Sequence, residues 1–407
     1  MKEGYRKLGD LIQLVDERNQ DLAVTDLVGL SISKEFIPSV ANTIGSDMGQ
    51  YKIIRKNQFA CSLMQVRRDK KIPVALQIEF DKAIISQAYP VFEVKDSNEL
   101  LPEYLMMWFS RKEFDREATF HAVGGVRGSV EWEDFADFEL PVPSPTEQQK
   151  IIDQYHSVEN KIKTNEAICG KLEAAAQALY KHWFVDFEFP NEEGKPYQSS
   201  GGKMVWNEEL EKEIPEGWEG VKVKHFCEEM KNGATPSRDI LEYWFPNDIP
   251  WIKTGEVSNN VIFNSEEYIS ELGFENSSTK LIPKDSILMA MYGATAAQLA
   301  YLKFEATTNQ ACCAMICSTK ERSAYLYHSL LNQQKEIENM AIGGAQQNLS
   351  KQLIEELDIL QPDNEDYFIT FSNFIELKAI KTKENQKLRQ LQGLLLSGMV
   401  KAAKVSA

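Results

Sequence analysis

The chain contains no Cys-x-x-Cys pair. Its six cysteines, Cys61, Cys169, Cys227, Cys312, Cys313 and Cys317, are spaced neither as zinc ligands nor as a disulfide framework, and its five histidines are scattered. No Gly-x-x-x-x-Gly-Lys-Ser/Thr run occurs, so a P-loop ATPase has no support. Gly124-Gly125-Val126-Arg127-Gly128 is the nearest approach to a dinucleotide fingerprint, and its spacing is wrong. A Gly-x-Ser-x-Gly elbow is absent. So is any Pro-Pro pair, and with it the Asn/Asp-Pro-Pro-aromatic motif of amino-methyltransferases. A His-x-Glu followed by Cys-x-x-Cys, the deaminase signature, is also missing. The Cys312-Cys313 pair reads as core rather than nucleophile. No apolar stretch reaches 18 residues, and Met1-Lys2-Glu3-Gly4-Tyr5 begins no secretory signal. The expectation is a reduced, cytoplasmic protein with no metal site that is not an enzyme by itself.

Positive charge is also in short supply, since 45 Lys and Arg face 61 Asp and Glu, for a net charge of −16. That balance argues against nucleic-acid binding, but its distribution weakens the objection. Asp186 to Glu219 holds ten acidic and three basic residues, whereas Tyr51 to Ile72 holds seven basic and one acidic. An acidic protein can still offer a local basic face to phosphates; the alternative is a solvated charged surface.

What the chain does have is an internal repeat. Ala122-Val123-Gly124-Gly125 returns as Ala341-Ile342-Gly343-Gly344, and Phe138 to Pro143 returns as Leu357 to Pro362, both 219 residues on. Ile162-Lys163-Thr164-Asn165-Glu166 returns as Ile380 to Glu384, 218 on. Ser86-Gln87-Ala88 returns as Asn309-Gln310-Ala311 at 223, and Tyr51 to Asn57 as Thr279 to Asp285 at 228. A half-length period is too long for a solenoid. It means two copies of one domain, each followed by a long helix. Within the first copy, strands are expected at Phe59–Met64 and Tyr89–Val94, and a helix over Tyr104–Ala118.

Ser144-Pro145-Thr146-Glu147 is a helix start: Ser at the N-cap, Pro at the first helical position, Glu at the third. A 4–3 pattern follows through Ile151, Tyr155, Val158, Ile162, Asn165, Cys169, Leu172, Ala176 and Leu179, the seam of a coiled coil. Asn165 either fixes register across that seam or lies solvated where the pairing loosens. The helix runs about 55 Å and needs a partner. Asp363 can cap a second helix whose seam runs through Phe371, Phe374, Leu377, Ile380, Leu388, Leu391 and Leu395. The two are expected to pair antiparallel as a ruler. The fold class is α+β: two globular α/β-mixed domains in a pseudo-two-fold repeat, separated by two long antiparallel coiled-coil helices. The expected boundaries are domain 1 over 1–143, the central helix over 144–187, an extended acidic linker over 188–213, domain 2 over 214–362 and the C-terminal helix over 363–404.

Four stretches carry a family resemblance. Leu140 to Ile151, with its prolines and Glu147-Gln148, leads into the first helix; Ala178-Leu179-Tyr180-Lys181-His182-Trp183-Phe184-Val185-Asp186-Phe187 leaves it. Gly202-Lys203-Met204-Val205 through Ile214-Pro215-Glu216-Gly217-Trp218 opens the second domain, which contains Gly233-Ala234-Thr235-Pro236-Ser237, Tyr243-Trp244 and Ile249-Pro250-Trp251. In these stretches the chain resembles the specificity subunit of type I restriction-modification systems (HsdS), over essentially its whole length. It departs from the pattern in the first domain, which lacks Thr-Pro-Ser and Ile-Pro-Trp counterparts, and after Pro362, where the Glu-Gln pair is missing.

The resemblance implies a non-catalytic subunit that binds double-stranded DNA at a bipartite site, one half per domain, with the spacer set by the helices. It implies two modification (methyltransferase) subunits and restriction (translocase/nuclease) subunits as partners. It implies no cofactor in this chain, with S-adenosylmethionine, ATP and Mg²⁺ on those partners. Candidate DNA contacts are Arg67, Arg68, Lys70 and Lys71 in one loop and Arg127 among glycines. In the second copy they are Arg238, Lys253, Gln346, Gln347, Asn348 and Lys351. Arg reads guanine, amides read adenine and Lys anchors phosphate; turns and caps are the alternatives at each. Tyr243, Trp244 and Trp251 read as core aromatics before stacking platforms. The outer faces of the helices are a possible platform for partner subunits. The competing function is a structural coiled-coil adaptor without direct DNA reading, which the acidic net charge favours.

Overall fold

Short runs of β-branched and aromatic residues form the strands of the protein, and the two long polar–apolar repeats form its helices. The computed structural model describes residues 4–39, 47–122, 128–341 and 348–402. They fall into two compact units, residues 1–162 with 387–407, and residues 163–386.

In the first unit, strands Ile12–Val15, Val91–Val94, Phe59–Cys61 and Val74–Leu76 lie side by side, all antiparallel. A second sheet runs Phe36–Pro38, Leu27–Leu30, Lys82–Ile85, Lys52–Arg55, with its middle pair parallel. Tyr5–Lys7 pairs with Glu139–Pro141. The helix expected over Tyr104–Ala118 is two, Pro102–Phe109 and Lys112–His121. Arg111 between them is extended, and the Ser110 hydroxyl turns back to donate to the Met106 carbonyl, closing the first helix. Phe59, Phe92, Phe109, Phe114 and Phe135 fill the core between helices and sheet.

The second unit repeats this plan. Strands Glu229–Asn232, Cys312–Ile316, Ile287–Ala290 and Leu299–Leu302 stand where the four strands of the first sheet stand, with Asn260–Ile262 added at the edge. Ile287-Leu288-Met289-Ala290 and Cys312 to Ile316 are buried at every position, because both faces of these strands are covered. Glu267–Ile269, Ile249–Ile252 and Thr307–Thr308 form the smaller sheet, and Glu219–Lys222 pairs with Asp358–Gln361. Backbone conformation repeats as well. Asn57 and Asp285 are both left-handed before the central strand, at φ 67° and 63°. Gln65 and Gly293 are left-handed after it, at 63° and 75°.

The first long helix spans Pro145–Tyr180 and ends in a single π turn, Lys181–Val185. Ser144 Oγ accepts from the Glu147 amide at 3.3 Å, as the capping pattern requires. Gln148 is fully buried, donating to the Glu99 and Pro143 carbonyls and accepting from the Leu101 amide. It anchors the helix start to the first unit, a task that its place in the sequence did not reveal. The second helix spans Asp366–Ala402. Its start is capped by Asn364, whose Oδ1 accepts from the Asp366 amide at 2.9 Å, rather than by Asp363.

The helices run antiparallel within each unit. In the second, Asn165 Nδ2 donates to Asn385 Oδ1 at 2.9 Å and Lys378 pairs with Glu173 at 2.6 Å. In the first, Ile152 and Met399 share one core. Asn165 is fully buried and thus lies within the seam, not in solvent. Of the expected seam, Ile162 is buried and Ile151, Tyr155, Val158, Leu172, Leu179, Leu388 and Leu395 are partly buried. Leu377, Ile380 and Leu391 are instead 50%, 59% and 43% exposed. The buried stripe of the second helix passes through Phe368, Phe371, Ile375, Ala379, Asn385 and Met399. Phe371, Leu388 and Leu395 of the expected seam lie in or beside this stripe, whereas at Leu377 and Ile380 the packing turns to the neighbouring Ile375 and Ala379.

Residues 188–213, expected as an extended linker, are folded into the second unit. Phe189 is buried, stacked on Tyr197 and Trp218 at 4.6 and 4.5 Å, and Met204–Asn207 pairs with Lys212–Pro215 as a hairpin. The acidic residues lie on the outside of a segment held by its aromatics. Among the described residues no helix is long and apolar enough to cross a membrane.

Candidate nucleic-acid interface

Antiparallel pairing gathers loops. In the first unit the strand Phe59–Cys61 runs against Val91–Val94, so the loop after the first and the turn before the second leave the sheet at one end. Val15 pairs with Val91, which brings the loop after Ile12–Val15 to the same end. The Val130 amide donates to the Leu63 carbonyl at 3.0 Å and adds the segment after residue 128. The second unit gathers the equivalent four: Ala290 pairs with Cys312, Asn232 with Cys313, and the Leu349 amide donates to the Met291 carbonyl at 2.8 Å.

Arg67, Arg68, Lys70 and Lys71 occupy this end of the first unit. Arg67 and Arg68 form a short helix, Val66–Asp69, and Lys70 closes it in the left-handed region at φ 52°. Arg67 donates to the Ala122 carbonyl at 2.7 Å, tying the basic loop to the helix end beside it. An added Cβ at Gly128 would approach Arg67 Cβ to 2.8 Å, so glycine is what lets the two segments meet. Arg68 and Asp69 pair at 2.6 Å, and their hydrogen bond holds the guanidinium above and the carboxyl below their ordinary pKa values. Lys70 and Lys71 are exposed and form no ion pair among the described residues. Elsewhere in the basic run two of the three cations meet carboxylates: Arg55 pairs with Glu17 at 2.6 Å, and Lys52 lies 3.8 Å from Asp16, while Lys56 is exposed. The densest part of the basic face is thus the Arg67–Lys71 loop, not the whole of Tyr51–Ile72. Arg127 falls outside the described residues.

In the second unit the aromatics explain Arg238. Trp251 is buried and donates to the Ala234 carbonyl at 2.9 Å; Trp244 stands edge-on to it at 5.1 Å and donates to the Ser237 carbonyl at 2.9 Å. Together they pin the Gly233–Ser237 loop. The Arg238 guanidinium lies 3.6 Å over Trp244 and 2.5 Å from Glu267. Its stem and plane are therefore fixed. Lys253 meets Glu266 and Glu267, each at 3.0 Å, and those hydrogen bonds raise its pKa. Asn348 is exposed and bridges to Tyr292, while Lys351 pairs with Glu355 one turn on, at 3.2 Å. Gln346 and Gln347 fall outside the described residues.

Candidate enzyme chemistry does not accumulate here. Cys61, Cys312 and Cys313 are fully buried; burial pushes the Cys61 thiol far up and those of Cys312 and Cys313 up to about 12. No group of three His, Cys, Asp or Glu among the described residues is placed to hold a metal ion.

Two turns at this end were not singled out as contacts, although the repeat had flagged them: Ser86–Tyr89 and Asn309–Cys312. Each carries a glutamine at its tip, and both are exposed.

The family model "Type I restriction modification DNA specificity domain" matches residues 39–174 and 215–390, well over half of the chain. The chain is 24% identical to the type I restriction enzyme HindI specificity subunit of Haemophilus influenzae, covering 96% of each. It is 32% identical over 199 residues to the MjaIX specificity subunit of Methanocaldococcus jannaschii, a match that spans 48% of this chain and 42% of that protein. A crystal structure of the type I restriction-modification S subunit from M. genitalium shares its fold, with a TM-score of 0.53 over 97% of this chain and 95% of that one, at 14% identity. The duplicated unit, the two long helices and these matches converge on one assignment: the chain belongs to the type I restriction-modification DNA-specificity family and is a non-catalytic specificity subunit.

Proposed function

We propose that the chain reads a bipartite double-stranded DNA site, one half per unit, and that its long helices set the gap between the halves. The observation that carries this is the duplication of a loop-bearing sheet end. One copy presents Arg67, Arg68, Lys70 and Lys71, and the other Arg238, Asn348 and Lys351. Two different sets of donors on one repeated scaffold suit two different half-sites. Partner subunits supply the chemistry: two modification subunits, taking S-adenosylmethionine, and restriction subunits, taking ATP and Mg²⁺. The helices offer them a surface through the outward stripe of Leu377, Ile380 and Leu391.

The test is selection of bound duplexes from a random pool by the chain together with its modification subunit, at about 150 mM salt. Two short fixed motifs separated by a constant gap are expected. An intact complex that enriches no motif overturns the DNA reading and leaves the adaptor, which the net charge of −16 favours.

A further inference from the structure

The turns Ser86–Tyr89 and Asn309–Cys312 are the same device built twice. The Ser86 carbonyl accepts from the Tyr89 amide at 3.1 Å, and the Asn309 carbonyl accepts from the Cys312 amide at 3.3 Å. Ser86 Oγ accepts from the Ala88 amide at 3.4 Å, and Asn309 Oδ1 from the Ala311 amide at 3.2 Å. Ser and Asn do one job here, closing the turn with a side-chain oxygen. The second position is glutamine in both copies, and it is exposed in both. It contributes nothing to the core, which the flanking Ile85, Val91 and Cys312 supply.

The loops around these turns have diverged. The first unit places the cationic Arg67–Lys71 beside its turn; the second places Tyr292-Gly293-Ala294-Thr295 there. A group held constant while its neighbours change suits a ligand feature common to both half-sites. In two duplex segments of different sequence that feature is the sugar–phosphate backbone. The chemistry of Gln310 agrees. Thr235 Oγ1 donates to Gln310 Oε1 at 2.6 Å, which engages the acceptor side of the amide. Bidentate adenine reading needs that oxygen together with the nitrogen. The Nε2 donors have no hydrogen-bond partner among the described residues, and a donor pair on an anchored amide fits an anionic oxygen.

We propose that Gln87 and Gln310 are a matched pair of backbone anchors, each donating from its amide to a phosphate oxygen of the half-site that its own unit reads. This rests on the DNA-reading function proposed above.

The experiment measures equilibrium binding by the complex with its modification subunit. It compares the unaltered chain with Gln87→Ala, Gln310→Ala and the double variant, on the selected duplex and on an unrelated duplex of equal length, over a series of salt concentrations. Each single variant is expected to weaken binding to both duplexes about ten- to a hundredfold, the loss of one hydrogen bond to a charged acceptor, and the double variant by about the product. The salt slope and the selected motif stay unchanged, because a neutral amide releases no counterion. Gln87→Glu and Gln310→Glu weaken binding further, and added salt relieves part of that loss. Unchanged melting temperatures show that the variants fold. A changed base preference in one half-site makes the glutamine a base reader and overturns the anchor role, as does unchanged affinity in all variants. If the unaltered complex itself selects no motif, the DNA-reading function fails and the anchors fail with it.

Discussion

Arg68 shows what an exposed cation contributes. Arg68 is about half exposed in its pair with Asp69, so the pair's share of folding stability is small. Against a phosphate it counts for more. Arg68→Ala is expected to weaken binding to specific and unrelated DNA alike and to reduce the salt slope by about one, read from binding isotherms over a salt series. His328 is the opposite case. It is buried against Glu173, Gln177 and Phe371, and burial lowers its pKa to about 4. An unfolded histidine titrates near 6.5. Below that pH the unfolded chain takes up a proton that the folded one refuses, so the stability due to neutral His328 is complete above about pH 6.5 and is lost as the pH falls toward about 4. The melting temperature of the unaltered protein should fall more steeply across that window than that of His328→Gln; parallel curves would show that the imidazole carries no such linkage. Arg68 stands in a basic run that the sequence shows locally, whereas the role of His328 was not visible in its neighbours along the chain: the Glu173 and Gln177 that face it are about 150 positions away.

The long helices were legible as elements and not as a pair. The 4–3 spacing and the Ser144 cap marked the first helix to within a few residues, because period and cap are local properties. Which stripe of the second helix faces inward was not local. Leu377 and Ile380 continue an apolar series but stand in solvent, while Ile375 and Ala379 are buried. Leu377→Glu should therefore change stability by no more than about 0.5 kcal/mol, and Ile375→Ala should cost about 2–5 kcal/mol, both from denaturant titration. The Asn165–Asn385 pair makes a sharper test. Asn165→Leu strips Asn385 Oδ1 of its donor inside the seam, at a cost of about 1–3 kcal/mol. Adding Asn385→Leu removes the buried amide too and should recover most of that loss. A double variant as unstable as the single would mean that the pair does more than satisfy its own polar groups.

Across the whole molecule, a repeat 219 residues apart predicted two copies of one domain, and both copies keep the strand order, the left-handed positions and the gathered loops. If the helices set the gap in the DNA site, inserting seven residues at matched points of both should lengthen each by about 10 Å. The selected motifs should then move apart by about three base pairs. An unchanged gap would remove the ruler from the proposal and leave the two readers.

The sequence by itself determined the duplication, the start of the first long helix and the family, because each is written in short runs whose meaning does not depend on distant residues. It also named Arg67 to Lys71 as a basic loop. Only the tertiary structure decided that Arg55 and Lys52 are neutralised by Glu17 and Asp16, that Trp244 and Trp251 hold Arg238 in place, and that residues 188–213 fold around Phe189 and Trp218. These outcomes depend on which side chains meet across long stretches of chain. Charge pairing, aromatic packing and the burial of one helix stripe over another are settled by those meetings rather than by order along the chain.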